Sequence, residues 1–362
     1  MKNNMKTILT LTALAVSTSL LSAAQEPPKA NKQMQAVLDE LGTLGGKPID
    51  TLTPQEARQQ PTPADAVKAL LKKRGQSTEP EKVANVENKT ITGSGGEIPI
   101  RIYTPAGQGP FPVVFYIHGG GWVIADLDVY DSSPRALANA AKAVVVSTHY
   151  RQAPEHPFPA SHEDVFTAYK WARENAASFN GDPNRIAVAG ESAGGNMAAA
   201  ISLMARDQHV PLPLHQVLVY PVAGTDMNTP SFEENANAKP LNKAMMEWFA
   251  KHELKNPQDK LDPRIDLVNA NLRGLPSATI ITAEIDPLRS SGKMLADKLK
   301  AAGVDVDYKN YNGVTHEFFG MGAVLEESKD ATKLAAKNLI KAFSAGERQP
   351  VRAKEDNSAD TK

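Results

Sequence analysis

The pentapeptide G-E-S-A-G at residues 190–194 contains the side chain of this sequence best suited to nucleophilic chemistry. It follows the apolar run 186–189, so we expect it where a buried strand ends and a helix begins. A sharp turn at that junction would hold the hydroxyl of Ser192 clear of the backbone, where it can attack a carbonyl carbon. Glycines flank the serine because a side chain there would collide where strand and helix pass closely. The pattern predicts attack by a serine on a carbonyl compound.

A serine attacks at neutral pH only with a general base that a carboxylate orients. In chains with such a strand–serine–helix turn, the acid and then the base follow the serine along the sequence. Of the eight histidines, His316 has this position, just beyond a strand predicted at 306–311. Asp286 follows a strand predicted at 279–283 and is our candidate acid, although Asp-Pro-Leu is also a typical helix start. Glu284 is the alternative, since strand alternation would direct both side chains the same way.

A second glycine-rich segment, H-G-G-G-W at 118–122, follows the predicted buried strand 113–117. Backbone N–H groups in such a loop can approach a ligand without interference from side chains. Candidate donors for a developing oxyanion are the N–H groups of Gly119, Gly120, Gly121 and Ala193. The alternative interpretation is a flexible glycine turn. We expect His118 to orient this loop rather than to act as the base, because it precedes the donors.

The elements that must position these residues alternate between buried strands and helices from about residue 86 to residue 345. That alternation predicts an α/β fold with a mostly parallel sheet covered by helices on both faces. Strands are predicted at 86–92, 98–103, 113–117, 143–148, 186–189, 217–220, 279–283 and 306–311. Helices are predicted at 34–41, 64–71, 135–142, 164–176, 195–205, 292–302 and 334–343, so residues 25–85 form a helical arm.

The segment 225–272 interrupts the alternation and is long for a connection. It carries Met245, Met246, Trp248 and Phe249 on a helical pattern. As single residues they are typical of core packing. As a group beside the site, these four could instead line a pocket for an acyl group. Our candidate substrate-binding residues are Met245, Trp248 and Phe249, together with Trp122 at the end of the glycine loop.

Composition and charge exclude several classes of protein. The 362 residues include 41% hydrophobic and 22% charged side chains, which is an ordinary globular balance. Forty basic and 41 acidic residues leave a net charge of -1, and without a basic stripe nucleic-acid binding has no support. The absence of cysteine excludes disulfides, a thiol nucleophile and cysteine-based zinc sites. We expect no metal and no cofactor.

The two ends of the chain differ from the rest. Lys2 and Lys6 precede a mostly apolar run at 8–21 and the small residues S-A-A at 22–24, which is typical of a signal peptide cleaved after Ala24. A membrane anchor is the alternative, but the run is short and is interrupted by serines and threonines. We therefore expect a periplasmic or secreted protein without a stable membrane anchor. Residues 346–362 are polar and aperiodic, which predicts a disordered tail.

Several motifs together resemble the bacterial hormone-sensitive-lipase-like esterases of the α/β-hydrolase fold. The resemblance covers about residues 86–343 and rests on H-G-G-G-W at 118–122, Y-R-Q-A-P-E-H-P-F-P-A at 150–160, G-E-S-A-G-G at 190–195, D-P-L at 286–288 and H-E-F at 316–318. It implies a triad of Ser192, Asp286 and His316. It also implies oxyanion donors at Gly120, Gly121 and Ala193, and a small helical cap from about 34–76 with part of 225–272.

These observations predict a carboxylic ester hydrolase that forms an acyl-enzyme with short acyl groups and needs only a small-molecule ester as partner. The alternative from another functional class is a protein that binds a small molecule on the same fold with an altered triad. An amidase, a lactonase or an acyltransferase would use the same three residues, which the triad alone does not separate. The natural ester stays open, and a homo-oligomer is compatible with the sequence.

Overall fold

The computed structural model describes residues 28–346. The predicted signal peptide lies outside these residues, as does the predicted tail beyond Gly346. Within them, eight strands form one sheet in the order β1-β2-β4-β3-β5-β6-β7-β8. The strands are β1 (Asn85–Gly93), β2 (Gly96–Thr104), β3 (Phe111–Ile117), β4 (Val144–Thr148), β5 (Gly181–Glu191), β6 (His215–Val219), β7 (Ser277–Ile285) and β8 (Val306–Thr315).

Pairing is antiparallel between β1, β2 and β4 and parallel from β4 through to β8. The central strand β3 shows why the sheet needs cover on both faces. Its alternate side chains enter two separate apolar cores, with Val113 and Phe115 in one and Val114 and Tyr116 in the other. A strand that is apolar on both faces is stable only between two layers of helices.

The helices supply those two layers. Side chains of α5, α6 and α9 share one core with the sheet, whereas those of α1, α3, α4 and α10 share the other. The prediction of an α/β fold with a mostly parallel sheet and helices on both faces is confirmed. The helices are α1 (Lys32–Thr43), α2 (Pro54–Ala57), α3 (Pro63–Lys73), α4 (Ser132–Ala141), α5 (Ala160–Glu174), α6 (Ala193–Asp207), α7 (Pro230–Glu234), α8 (Lys243–Glu253), α9 (Arg289–Ala301) and α10 (Glu326–Gly346).

The N-terminal arm folds as short helices whose starts are encoded locally. Thr53 and Thr62 each form a capping box at the start of α2 and α3, with a proline in the first turn. The arm contacts the main body at two points that matter for the site. Asn31 donates its N–H to the carbonyl of Gly313 at 2.8 Å, in the segment that leads to His316. Arg58 donates to the carbonyl of Val123 at 2.8 Å, just beyond the glycine loop.

The segment 225–272 contributes α7 and α8 together with the 3₁₀ turns Pro257–Leu261 and Leu267–Asn269. Helix α8 starts at Asn242, whose side chain accepts the N–H of Met245 at 2.9 Å. It touches the arm through Trp248, whose indole N–H donates to the carbonyl of Leu52 at 3.1 Å. Arm and insertion therefore meet on one side of the sheet. None of the helices in residues 28–346 combines the length and apolarity that crossing a bilayer requires.

Candidate active site

Ser192 lies at the sharp turn between β5 and α6. Its backbone has φ 57° and ψ -120°, a conformation that costs about 1–3 kcal/mol for a non-glycine residue and needs support from its surroundings. The N–H of Ser192 donates to the carbonyl of Val219 at 2.9 Å, and its carbonyl accepts the N–H of Asn196 at 3.0 Å. A Cβ on Gly194 would lie 2.1 Å from the carbonyl oxygen of Ile117. The turn thus depends on glycine because β3 passes directly behind it.

The structure brings the three predicted triad residues together. Nε2 of His316 lies 2.9 Å from Oγ of Ser192, and Nδ1 of His316 lies 2.7 Å from Oδ2 of Asp286. All three side chains are buried, since the most exposed of them, Ser192, retains only 5% of its accessible surface. His316 directly follows the end of β8, which runs on to Thr315, beyond the predicted end at 311. These are the contacts that a nucleophile, its base and the orienting acid require.

The structure also separates Asp286 from Glu284. Oδ1 of Asp286 accepts the N–H of Leu288 at 2.8 Å, so one carboxylate both caps the following turn and holds His316. Glu284 instead accepts the N–H of Gly313 at 2.7 Å and makes no ion pair with His316. Strand alternation could not distinguish the two because β7 ends at Ile285, so that Asp286 already lies outside the pleated segment.

The surroundings of His316 favour its charged form. Burial alone would lower the pKa of the imidazole, but the charge and hydrogen bond of Asp286, together with the charges of Glu317 and Glu191, raise it above its ordinary value. The ring of Tyr220 packs against the imidazole at a centroid distance of 4.4 Å. His316 is therefore held rigidly in a site that stabilises an imidazolium.

The glycine loop lies beside the serine and leaves its N–H groups available. Gly120 has φ 96°, and a Cβ there would lie 2.1 Å from the carbonyl oxygen of Ile124, so only glycine fits. The N–H groups of Val123 and Ile124 both donate to the carbonyl of Gly120, at 3.0 and 2.9 Å, which closes the turn. Within residues 28–346, the backbone hydrogen bonds of turns and loops do not use the four predicted donor N–H groups, those of Gly119, Gly120, Gly121 and Ala193.

His118 holds the loop rather than facing the serine. Its Nδ1 contacts the carbonyl of Gly119 at 2.8 Å, and its Nε2 contacts Nδ1 of His149 at 2.9 Å. The hydroxyl of Tyr150 donates to the same Gly119 carbonyl at 2.9 Å. Burial, with a contribution from His149, lowers the pKa of His118 to about 3. A neutral imidazole with both nitrogens engaged is suited to orienting the loop carbonyl.

A largely apolar cavity of about 240 Å³ opens next to the glycine loop. Phe249 connects the two, because a Cβ on Gly121 would lie 2.3 Å from its ring. Trp122, Met246 and Phe249 line the cavity, whereas Met245 does not. Trp248 is also absent from the lining, since it faces the arm. The helical phase of α8, which the sequence pattern did not resolve, decides which of these side chains reach the cavity.

Two glutamates around the site were not anticipated: Glu191, which is buried, and Glu317, which is partly exposed. Glu191, inside the serine motif, accepts hydrogen bonds from the hydroxyls of Tyr116 and Tyr220. Burial, followed by the charge of Glu317, raises the pKa of Glu191 to about 7. Glu317 adjoins His316 and accepts the hydroxyl of Tyr130 at 2.6 Å. The motif positions of both glutamates were a usable signal, whereas the tyrosines come from separate strands and loops that spacing could not connect.

The described residues contain no group of three or more histidine, cysteine, aspartate or glutamate side chains arranged to hold a metal ion. The chemistry available at this site is that of the hydroxyl of Ser192, the imidazole of His316, the carboxylate of Asp286 and the backbone N–H groups of the glycine loop and Ala193.

Comparison with known proteins agrees with this geometry. Residues 114–320 match the family described as the α/β-hydrolase fold. Carboxylesterase NlhH of Mycobacterium tuberculosis is 41% identical over 293 residues, which cover 78% of this chain and 92% of that protein. Ethyl acetate hydrolase of Pseudomonas putida is 32% identical over 309 residues, covering 83% and 95%. An ester hydrolase from the Lake Arreo metagenome, solved with a bipyridine phosphonate derivative, superimposes with a TM-score of 0.78 at 37% identity and covers 87% of this chain and 99% of that one. The chain belongs to the α/β-hydrolase fold family, among its hormone-sensitive-lipase-like esterases.

Proposed function

We propose that this protein hydrolyses carboxylic esters through an acyl-enzyme formed on Ser192. One observation supports this most directly: the continuous hydrogen-bonded chain from Oγ of Ser192 through His316 to Asp286, at 2.9 and 2.7 Å. Relatives named as carboxylesterase and as ethyl acetate hydrolase, matched over most of their length, support the same reaction class.

In the acylation half-reaction, Oγ of Ser192 attacks the ester carbonyl carbon while Nε2 of His316 takes its proton. The tetrahedral intermediate places its oxyanion among the N–H groups of Gly120, Gly121 and Ala193, with Gly119 as a further candidate. The imidazolium, stabilised by Asp286, then returns the proton to the alkoxide as the carbon–oxygen bond breaks. Alcohol leaves, and the acyl group stays on the serine.

Deacylation repeats these steps with water. Nε2 of His316 takes a proton from the water that attacks the acyl carbonyl, and the same proton passes to Oγ of Ser192 as the acid departs. The cavity lined by Trp122, Met246 and Phe249 suits the acyl chain, because it is mostly apolar and adjoins the oxyanion loop. Its modest volume favours short acyl groups.

Turnover of p-nitrophenyl acetate by wild type and by Ser192→Ala tests the proposal. We expect the substitution to abolish specific turnover and labelling by a fluorophosphonate probe, whereas Ser77→Ala, on an exposed segment, leaves both unchanged. Near wild-type turnover by Ser192→Ala would refute the mechanism. Matched esters and amides, and nitrophenyl esters from acetate to decanoate, then define the bond and the chain length.

We further propose that the protein works outside the cytoplasm. The support is the basic residues Lys2 and Lys6, the apolar run that follows them, and the small residues ending at Ala24. Fractionation of the expressing cells followed by N-terminal sequencing checks this, and we expect a mature chain that begins at Gln25 in the exported fraction. A full-length chain confined to the cytoplasm would contradict it.

A further inference from the structure

Glu317 lies beside the reacting nitrogen of the base. Its Oε1 is 3.9 Å from Nε2 of His316, the same nitrogen that faces Oγ of Ser192. The side chain is 21% exposed, so the carboxylate is only partly removed from water. Its backbone adopts φ 72° and ψ 3°, a left-handed conformation that is uncommon for glutamate and is maintained by the surrounding structure.

Tyr130 keeps this carboxylate in place. Its hydroxyl donates to Oε1 of Glu317 at 2.6 Å and stands against the glycine loop, where a Cβ on Gly119 would lie 2.3 Å from it. Gly119 therefore leaves the space through which Tyr130 reaches Glu317. Burial raises the pKa of Glu317, whereas the charge of His316 and the hydroxyl of Tyr130 stabilise its ionised form, and the hydrogen bond fixes the carboxylate at a defined distance from the imidazole.

We propose that Glu317 is a second carboxylate for the base, which stabilises the imidazolium of His316 from the Nε2 side as Asp286 does from the Nδ1 side. The inference rests on the proposed ester hydrolysis and adds a positioning residue to it. An opposite charge within about 4–6 Å favours the charged form of a titrating group by about 1–3 pKa units. Because Glu317 is partly exposed, we expect the lower end of that range.

The other groups around His316 do not replace Glu317. Asp286, from the loop after β7, engages only Nδ1. Glu191, at the end of β5, makes no ion pair with His316, and Tyr116 and Tyr220 donate to its carboxylate. The ring of Tyr220 packs against the imidazole. Among the described residues, the charges that raise the pKa of His316 are those of Asp286, Glu317 and Glu191.

The pH dependence of kcat/KM for p-nitrophenyl acetate tests the role of the charge, because its acid limb reports the base in the free enzyme. Glu317→Gln removes the charge but keeps an oxygen that can accept from Tyr130, whereas Tyr130→Phe removes the hydroxyl and keeps the charge. We expect Glu317→Gln to move the acid limb down by about one pH unit and to lower the plateau about tenfold. Tyr130→Phe should move it by less than half as much.

Glu317→Gly serves as a variant with little risk to folding, since φ 72° suits glycine, and it should reproduce the shift. An unmoved acid limb in Glu317→Gln and Glu317→Gly would overturn the inference, as would equal shifts in Glu317→Gln and Tyr130→Phe. NMR titration of the His316 imidazole gives the same shift without turnover. Active variants with an unshifted imidazole would contradict this inference alone, whereas a wild-type protein that turns over no ester would contradict the proposed function.

Discussion

Asp286→Asn should inactivate the protein by changing which imidazole nitrogen carries the proton. Oδ1 of Asp286 accepts the N–H of Leu288 at 2.8 Å, and only the oxygen of the new amide can occupy that place. The NH₂ group must then face Nδ1 of His316, 2.7 Å away in the wild type. Nδ1 becomes an acceptor, so the imidazole proton moves to Nε2, which can no longer take the proton of Ser192.

The size of the loss follows from the cost of avoiding this arrangement. Flipping the amide restores the productive tautomer but sets its NH₂ group against the Leu288 N–H, which leaves two buried donors without acceptors. At about 1–3 kcal/mol for each unsatisfied group, the flip costs about 2–6 kcal/mol. That corresponds to a loss in kcat of about 30-fold to 10⁴-fold. The upper end is about the loss that replacing the triad aspartate by asparagine causes in serine proteases.

The assay is kcat on p-nitrophenyl acetate at pH 8, with thermal melting to verify that the variant is folded. Glu284→Gln is the matched control, because its amide oxygen can still accept the Gly313 N–H that Glu284 accepts at 2.7 Å. We expect less than about a threefold change in the control. A folded Asp286→Asn protein within tenfold of wild type, or a larger loss in Glu284→Gln, would refute the assignment of the acid.

Three further predictions concern the surroundings of the site. Glu191→Gln should flatten the pH dependence of stability. In the folded protein the pKa of Glu191 is about 7, against an ordinary 4.5, so the folded protein holds a proton that the unfolded chain releases between these pH values. The free energy of unfolding of the wild type should therefore fall as the pH rises from about 4.5 through 7, by at most about 3 kcal/mol. Melting temperatures from pH 5 to 8 measure this, and parallel curves for both proteins would contradict it. Phe249→Ala enlarges the cavity, so the ratio of hexanoate to acetate kcat/KM should rise about tenfold or more; an unchanged ratio would place the acyl chain elsewhere. Arg58→Ala removes donors to the carbonyls of Val123 and Ala153 and to Glu155. We therefore expect the free energy of unfolding to fall by about 1–3 kcal/mol and proteolysis within residues 28–80 to become faster. Unchanged proteolysis would contradict this prediction.

The fold could be predicted from the sequence because its strands are short, apolar runs separated by clear helical patterns. In β3 every second residue enters the same core, and such a run has few alternative structures. The ends of elements were less accessible. The last helix begins at Glu326 rather than near 334, since its first turns are polar and carry little apolar periodicity.

For the site, too, the sequence predicts what local context determines but not the contacts between distant segments. The positions of Ser192 and His316 follow from local context, because each comes a few residues after the end of a predicted strand. The position of Met246 rather than Met245 at the cavity depends on the rotation of α8, which contacts between distant segments fix, such as those of Phe249 with Gly121 and of Trp248 with Leu52. The hydroxyls of Tyr116 in β3 and of Tyr220 just after β6 both donate to Glu191 at the end of β5. The spacing of motifs contains no information on such contacts.

The three carboxylates around His316 differ chiefly in what surrounds them. One carboxylate oxygen of Asp286 accepts a backbone N–H and the other contacts the imidazole, so both oxygens of Asp286 help to orient the base. Glu191 is buried between two tyrosine hydroxyls, and its raised pKa of about 7 means that near neutral pH it adds only part of a charge. Glu317, partly exposed and 3.9 Å from Nε2, adds charge where the proton is transferred. Because the pKa values of Glu191 and His316 are both raised, that of Glu191 to about 7, the measured pH–rate profile of the wild type should require more than one ionisation on its acid side.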